Sequence, residues 1–478
     1  HILIREVAYS TLPRAERSRL HAAAGAVLET TAAGNEDALA ELIAYHLREA
    51  VVLGRSASLP DLADLQARAV RWLRRAAEAA MTAAATIEAS RHVLAAIDLA
   101  GPDDLPELWE FLGDTYLAGP GAVDAYARAR VLARERGRPA DDQLRMLTSE
   151  LLVVTRWHGS VGASPVDTID TLRQEGRRLV SETTDERVLA RFLLGEAFIV
   201  WLRIGGRAAA TAETDDELAA SGRKALEIGV RLDDVDLQSA ALDALSSIVI
   251  RGDDYRGSLA LIERRLALGD RLDFTERFDA ETMRAWHEMA LGDIKSAADH
   301  AAEALADLAP GQAPGFVLSL SAWLIAACHV LGRWDEAIVA ANRLERVWEE
   351  LDRPPSGFAI QGFLAELEVA RARREEAMAD RARTAIGSIV GRFGQDDRIH
   401  GLLAVLTPDP AAVERDVVAQ FDRFVGRIDH LDRALSICCD RGYPLEATLL
   451  ERLISHVEPR GIRLVEAQAR RALGLARR

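Results

Sequence analysis

The chain has 478 residues, 59 of them basic and 75 acidic, for a formal charge of −16. That surplus repels a nucleic-acid backbone and an anionic membrane surface, so neither is an expected partner of this chain. Hydrophobic residues make up 49% but aromatics only 5%, which leaves Ala and Leu, both strong helix formers, to build the core of an all-α fold.

A single core does not grow to this length, so the chain needs either about three domains or an internal repeat. Residues 1–55 carry a pattern met only once: His1-Ile-Leu-Ile-Arg-Glu-Val-Ala-Tyr-Ser-Thr-Leu-Pro13, then Arg17, Leu20-His21, then Glu41-Leu42-Ile43-Ala44-Tyr45-His46-Leu47. This stretch opens without an initiator Met, inside an ordered-looking pattern, and reads as a helical junction left from a longer protein. Over 56–140, Ala89, Val93 and Ala96 end at the stop Gly101-Pro102. Trp109, Leu112, Gly113 and Tyr116 follow, then Ala125, Ala129 and Leu132; these are the spacings of a tetratricopeptide hairpin. Over 141–232, helical patterns at 141–158, 165–180, 185–203 and 215–231 predict two irregular hairpins. The Gly-, Ala- and Thr-rich stretch from Gly205 to Asp216 is the expected exposed, protease-sensitive loop.

The regular array spans 233–406. Gly252, Gly292 and Gly332 stand 40 residues apart, with Ala372 one period on; five residues after each come Gly257, Ala297, Ala337 and Ala377. A loop glycine can take a positive φ at a helix end, and a small residue five later lets the second helix pack closely on the first. Such hairpins bury their apolar faces only by stacking, which predicts a helical-hairpin superhelix, an α-solenoid. The break Thr407-Pro408-Asp409-Pro410 then introduces a C-terminal helical cap over 407–478.

No residue set reads as a catalytic, cofactor-binding or metal site. His287-Glu288 begins like a zinc-protease helix, but position 291 is Leu. Lys295-Ser296 lacks a glycine-rich phosphate cradle. Acidic pairs at Asp103-Asp104, Asp215-Asp216, Asp233-Asp234, Asp253-Asp254 and Asp396-Asp397 stand at helix starts and read as caps. Cys328, Cys438 and Cys439 form neither a disulfide framework nor metal spacing. With no signal peptide and no apolar run of about 18 residues, a reducing cytoplasm is expected.

In tetratricopeptide geometry the concave groove is lined by residues 13, 10, 6 and 3 before the loop position. That gives Asp279, Thr282, Trp286 and Met289; Ser319, Ala322, Ala326 and His329; Ala359, Gly362, Glu366 and Val369. The candidate groove residues are Trp286, Met289, His329 and Glu366. Trp286 beside Met289 suits a peptide or a small apolar ligand, the alternative being that Trp286 packs inside the array.

The opening motif, followed by Ala44-Tyr45-His46-Leu47, resembles the segment after the nucleotide-binding and winged-helix parts of large bacterial signalling ATPases of the STAND type. Those proteins are fused to class III adenylate or guanylate cyclase domains or to a LuxR-type DNA-binding domain. Gly461-Ile-Arg, Ala467 and Ala469-Arg470 resemble the last helix of that group. The resemblance implies a non-catalytic, ligand- or protein-binding regulatory arm whose partners are a peptide, protein or small molecule in the concave face and the chain's own upstream ATPase. It places ATP and Mg in that upstream module and no cofactor here. The alternative is a free-standing scaffold that gathers protein partners in its groove.

Overall fold

A computed structural model describes residues 9–60, 62–116, 119–161, 164–204, 213–393 and 431–477, and every regular element among them is a helix. The fold is an all-α solenoid of tetratricopeptide-like hairpins. The first eight residues of the opening motif, positions 205–212 of the expected loop, Asp396-Asp397 and the Thr407–Pro410 break lie outside the described residues.

The chain forms two compact units, one of residues 1–117 and 121–138, the other of 118–120 and 139–478. In the first, α1 (Arg14–Thr31), α2 (Glu36–Ser56), α3 (Ala63–Thr82), α4 (Thr86–Ile97), α5 (Leu105–Thr115) and α6 (Pro120–Glu135) follow one another. Ile43, Leu47, Val51, Trp72, Leu73 and Leu108 share one core, so the junction helices α1 and α2 pack as part of this unit. Gly113 on α5 is required: a Cβ there would meet the Tyr126 ring of α6 at 2.4 Å.

The second unit continues with α7 (Ala140–Thr155), α8 (His158–Val161), α9 (Val166–Leu179), α10 (Glu186–Ala197), α11 (Val200–Ile204), α12 (Asp215–Arg231), α13 (Val235–Ile250) and α14 (Tyr255–Leu266). The array then runs through α15 (Phe274–Leu291), α16 (Ile294–Ala306), α17 (Pro314–Val330), α18 (Trp334–Glu350), α19 (Gly357–Arg373) and α20 (Glu376–Phe393). Past the undescribed stretch come α21 (Leu431–Asp440), α22 (Ala447–Val457) and α23 (Arg463–Ala476). Each hairpin's first helix packs on its own second helix and on the first helix of the next hairpin, as α15 does on α16 and α17.

The two rows differ in kind. Outer helices α16 and α18 bury a single stripe each, Ala297, Ala301 and Leu305 in one, Ala337, Ala341 and Leu344 in the other. The inner α15, α17 and α19 are buried on nearly all sides, and α17 contains no Asp, Glu, Lys or Arg. A helix apolar all round needs cover on all faces. At Gly362 the two inner helices touch: a Cβ would stand 2.9 Å from the Ala322 Cα.

The repeat register shifts at both ends. Gly292 and Gly332 take φ of 85° and 72°, but in the first hairpin the left-handed residue is Asp253 rather than Gly252, and in the fourth Arg374 rather than Ala372. Counting five on from these observed positions gives Ser258, Ala297, Ala337 and Ala379, all buried, whereas Ala377 is exposed. Several acidic pairs do cap: Asp234 accepts from the Leu237 amide and Asp254 from the Gly257 amide. Asp104 precedes α5 without capping it, and Asp215 binds Arg251 while Thr214 forms the capping box.

The last three helices return to the middle of the array. His456 lies 2.8 Å from the Asp253 carboxylate, and Arg463 lies against Gly292. No helix among the described residues is long and apolar enough to cross a membrane.

Candidate functional site

Corrected for the register, the inner positions of the first hairpin include Asp243 and Ser247, and those of the fourth become Gln361, Leu364, Glu368 and Arg371. Glu366 therefore leaves the inner row. It faces the outer helices, where Arg381 is 3.8 Å away. The side chain is 4% exposed, and burial, with Glu345 adding to it against Arg381, pushes its carboxyl up to about 7.

Trp286 is 1% exposed, at the centre of an aromatic column. It stacks on Trp323 of α17, centroids 6.4 Å apart and planes 12° apart. Phe358 of α19 and Tyr255 of α14 meet it edge-on. Trp201 of α11 covers it at 6.4 Å, and His158 of α8 lies against Trp201. Met289, one turn on, is also buried. The inner face at Trp286 is thus covered by the chain's own α11. The helical pattern read over 185–203 includes most of α11, but it gives no sign that this end of the pattern breaks away to cover Trp286.

Two to three helical turns before Trp286 on α15 lies a buried ionic cluster. Arg156, directly after α7, donates to Asp243 of α13 at 2.8 Å, to Glu276 of α15 at 2.5 and 3.0 Å, and to Asp279 at 3.2 Å. Its side chain is 8% exposed. Arg265 of α14, fully buried, binds Asp279 at 2.6 Å, Glu276 at 3.1 Å and the Ser239 hydroxyl at 3.0 Å. Two guanidinium groups thus meet three carboxylates. Burial pushes Asp243 up to about 6, against the pull of Arg265. Glu276 is equally desolvated, yet Arg156 and Arg265 bring it down to about 2. The Arg156 guanidinium also lies over the Trp157 ring at 4.6 Å, and Trp157 meets Phe316 of α17 edge-on.

The fourth hairpin repeats the theme. Arg433 of α21 donates to Glu368 at 2.7 Å and to the Gln361 side chain at 3.2 Å. His329, a candidate that stays on the inner row, is partly exposed with its Nδ1 3.5 Å from Glu368. Burial lowers its pKa, with Glu368 opposing and Arg433 assisting. The structure therefore keeps Trp286 and Met289 together and sets His329 and Glu366 apart, on different neighbours. Among the described residues no group of three His, Cys, Asp or Glu side chains could hold a metal ion. His287 Nδ1–H donates to the Met283 carbonyl and its Nε2 lies 2.8 Å from the Ser258 hydroxyl, and Lys295 pairs with Asp299.

No protein-family model matches the chain, and no curated protein matches it in sequence. Among solved structures it is similar to a Rap protein complexed with competence and sporulation factor, at 12% identity over 79% of this chain and 97% of that one, TM-score 0.49. It is also similar to a STAND protein with a tetratricopeptide repeat sensor from Pyrococcus horikoshii, at 12% identity over 71% of this chain and 52% of that one, TM-score 0.40. A third is the anaphase-promoting complex assembly Cut9–Hcn1, at 14% identity over 96% and 85%, TM-score 0.36. This chain spans about half the length of the STAND structure. These are likenesses of helical-repeat architecture and carry no ligand with them.

Proposed function

We propose that this chain is a regulatory arm that binds a peptide or protein on the inner row of its second unit, non-catalytic in itself, within a cytoplasmic ATP-dependent signalling protein. The observation that supports binding most is the polar set on that row. Asp243, Asp279, His329 and Glu368 recur at inner-row positions of the four successive inner helices α13, α15, α17 and α19, and an ionisable group taken out of water there is costly unless it is paired. Beside them the buried Trp323 Nε1–H has no acceptor among the described residues, a donor suited to a peptide carbonyl.

The signalling context rests on the opening motif, whose ring-bearing residues Tyr9, His21, Tyr45 and His46 meet in a single cluster. Its upstream partner is the ATPase, with a cyclase or LuxR-type output and with ATP and Mg held there. An arm of this kind acts by binding its ligand with different affinity in two states of the whole protein. The full-length protein provides the test. Its reading frame should encode a nucleotide-binding module ahead of His1, and His329→Ala should change its nucleotide turnover on the order of fivefold. A frame without that module overturns the signalling assignment.

A further inference from the structure

The Arg156–Trp157 corner sits on the inner row as a ligand would. It is the C-terminal end of a hairpin's first helix: α7 ends at Thr155 with Arg156 as its cap, and only the four-residue α8 follows before the second helix of that hairpin. It nonetheless reaches α13, α15 and α17, more than eighty residues on in sequence. We propose that this corner is a built-in occupant of a guanidinium-recognition site, and that the partner of the inner row is a peptide presenting an arginine next to an aromatic residue, which takes its place. The inference rests on the reading of the inner row as a recognition surface and adds the class of ligand.

Charge and geometry support this choice. With Arg156 withdrawn, the three carboxylates Asp243, Glu276 and Asp279 would keep only Arg265, a deficit of two positive charges in a dry site, where an unpaired carboxylate is costly. The two oxygens of Glu276 receive two different guanidinium nitrogens of Arg156. That fork is specific to arginine, whereas an ammonium group offers a single point of charge. The aromatic neighbour has its own seat, edge-on to Phe316 and under the guanidinium. Arg433 on Glu368 shows the same preference a second time on the same row. The backbone hydrogen bonds of the corner are all local, the Arg156 and Trp157 amides donating to the Leu152 carbonyl of α7 and the Ser160 and Val161 amides to the Trp157 carbonyl, so its opening breaks the last turn of α7 and not the hairpins of the array.

The test uses the whole chain carrying Arg156→Ala and Trp157→Ala together, titrated calorimetrically with the blocked dipeptides Arg-Trp, Lys-Trp and Glu-Trp. The variant should bind Arg-Trp at least tenfold more tightly than the unaltered chain does, and at least tenfold more tightly than it binds Lys-Trp, while Glu-Trp should not bind. A helical, cooperatively melting variant that binds none of the three, or all alike, overturns the proposal. Binding of Glu-Trp alone overturns the arginine class and leaves the peptide-binding reading standing. Should the double variant fail to fold, the unaltered chain decides: millimolar Arg-Trp should accelerate amide exchange over 155–161 while protecting α13 and α15. Unchanged exchange there overturns the proposal.

Discussion

The Nδ1 atoms of His21 and His46 lie 3.0 Å apart, joining α1 to α2, while the Tyr9 hydroxyl sits 2.8 Å from the other ring nitrogen of His21. Two imidazole nitrogens at that distance hold one proton between them, so the contact fails when both rings are protonated there. Burial lowers the His21 pKa, joined by His46 and Arg17 and opposed by Glu49. The neutral ring is favoured in the folded state. Its stabilisation is present above the ordinary value of 6.5 and is lost as pH falls below it. Amide protection factors in α1 and α2, corrected for the intrinsic pH dependence of exchange, should fall between pH 7.5 and 5.5, and His21→Gln should flatten that dependence.

Glu366 has the opposite sign. A buried acid raised to about 7 holds its proton in the folded state across a range where the unfolded chain has lost it. Its contribution is intact below pH 4.5 and is lost as pH rises to about 7. Glu366→Gln, which keeps the neutral shape, should therefore raise the melting temperature at pH 8 and leave it nearly unchanged at pH 4.5. An equal effect at both pH values would place Glu366 in water.

Arg265→Met removes the fully buried cation of the ionic cluster and leaves three carboxylates to one arginine. Breaking a buried network from one side costs about 3–5 kcal/mol, measurable by urea unfolding. A loss within about 1 kcal/mol, the value of an exposed pair, would show the cluster to be hydrated.

Trp286→Ala should destabilise by about 3–5 kcal/mol, as expected for an aromatic side chain removed from a closed core. Near-ultraviolet circular dichroism should lose the Trp201–Trp286–Trp323 signal in the same variant. Retained stability would mean that α11 does not cover this face.

The register offers a paired test. Arg374 takes a φ of 61°, where an L side chain is strained, so Arg374→Gly should stabilise by about 0.5–1 kcal/mol. Ala372 lies in the last turn of α19, and Ala372→Gly should cost about as much. If Ala372 were the loop residue, the two effects would exchange.

The all-α hairpin fold was legible because its causes are local. Gly292 and Gly332 mark helix ends by their backbone freedom, and Ala297 and Ala337 mark close packing by their size. The same reasoning slipped wherever a non-glycine residue took the left-handed position. Asp253 and Arg374 give no such signal, and an error of two residues put Glu366 on the inner row in place of Glu368. The occupied inner face was illegible for another reason. Arg156 meets Glu276 across 120 residues and Arg433 meets Gln361 across 72, and no spacing in one sequence expresses a long-range pairing of that kind.

The tie between His456 and Asp253, 203 residues apart, bears on how the second unit comes apart. In an open stack each repeat touches only its neighbours, stability adds unit by unit, and ends fray independently. Here the final helices are fastened to the loops of central hairpins at Asp253 and Gly292, which turns a row into a closed circuit. Melting should then be all-or-none across α13 to α23, folding should be slow for a helical protein because its closing contacts are distant, and repeats could be neither added nor trimmed without opening that circuit.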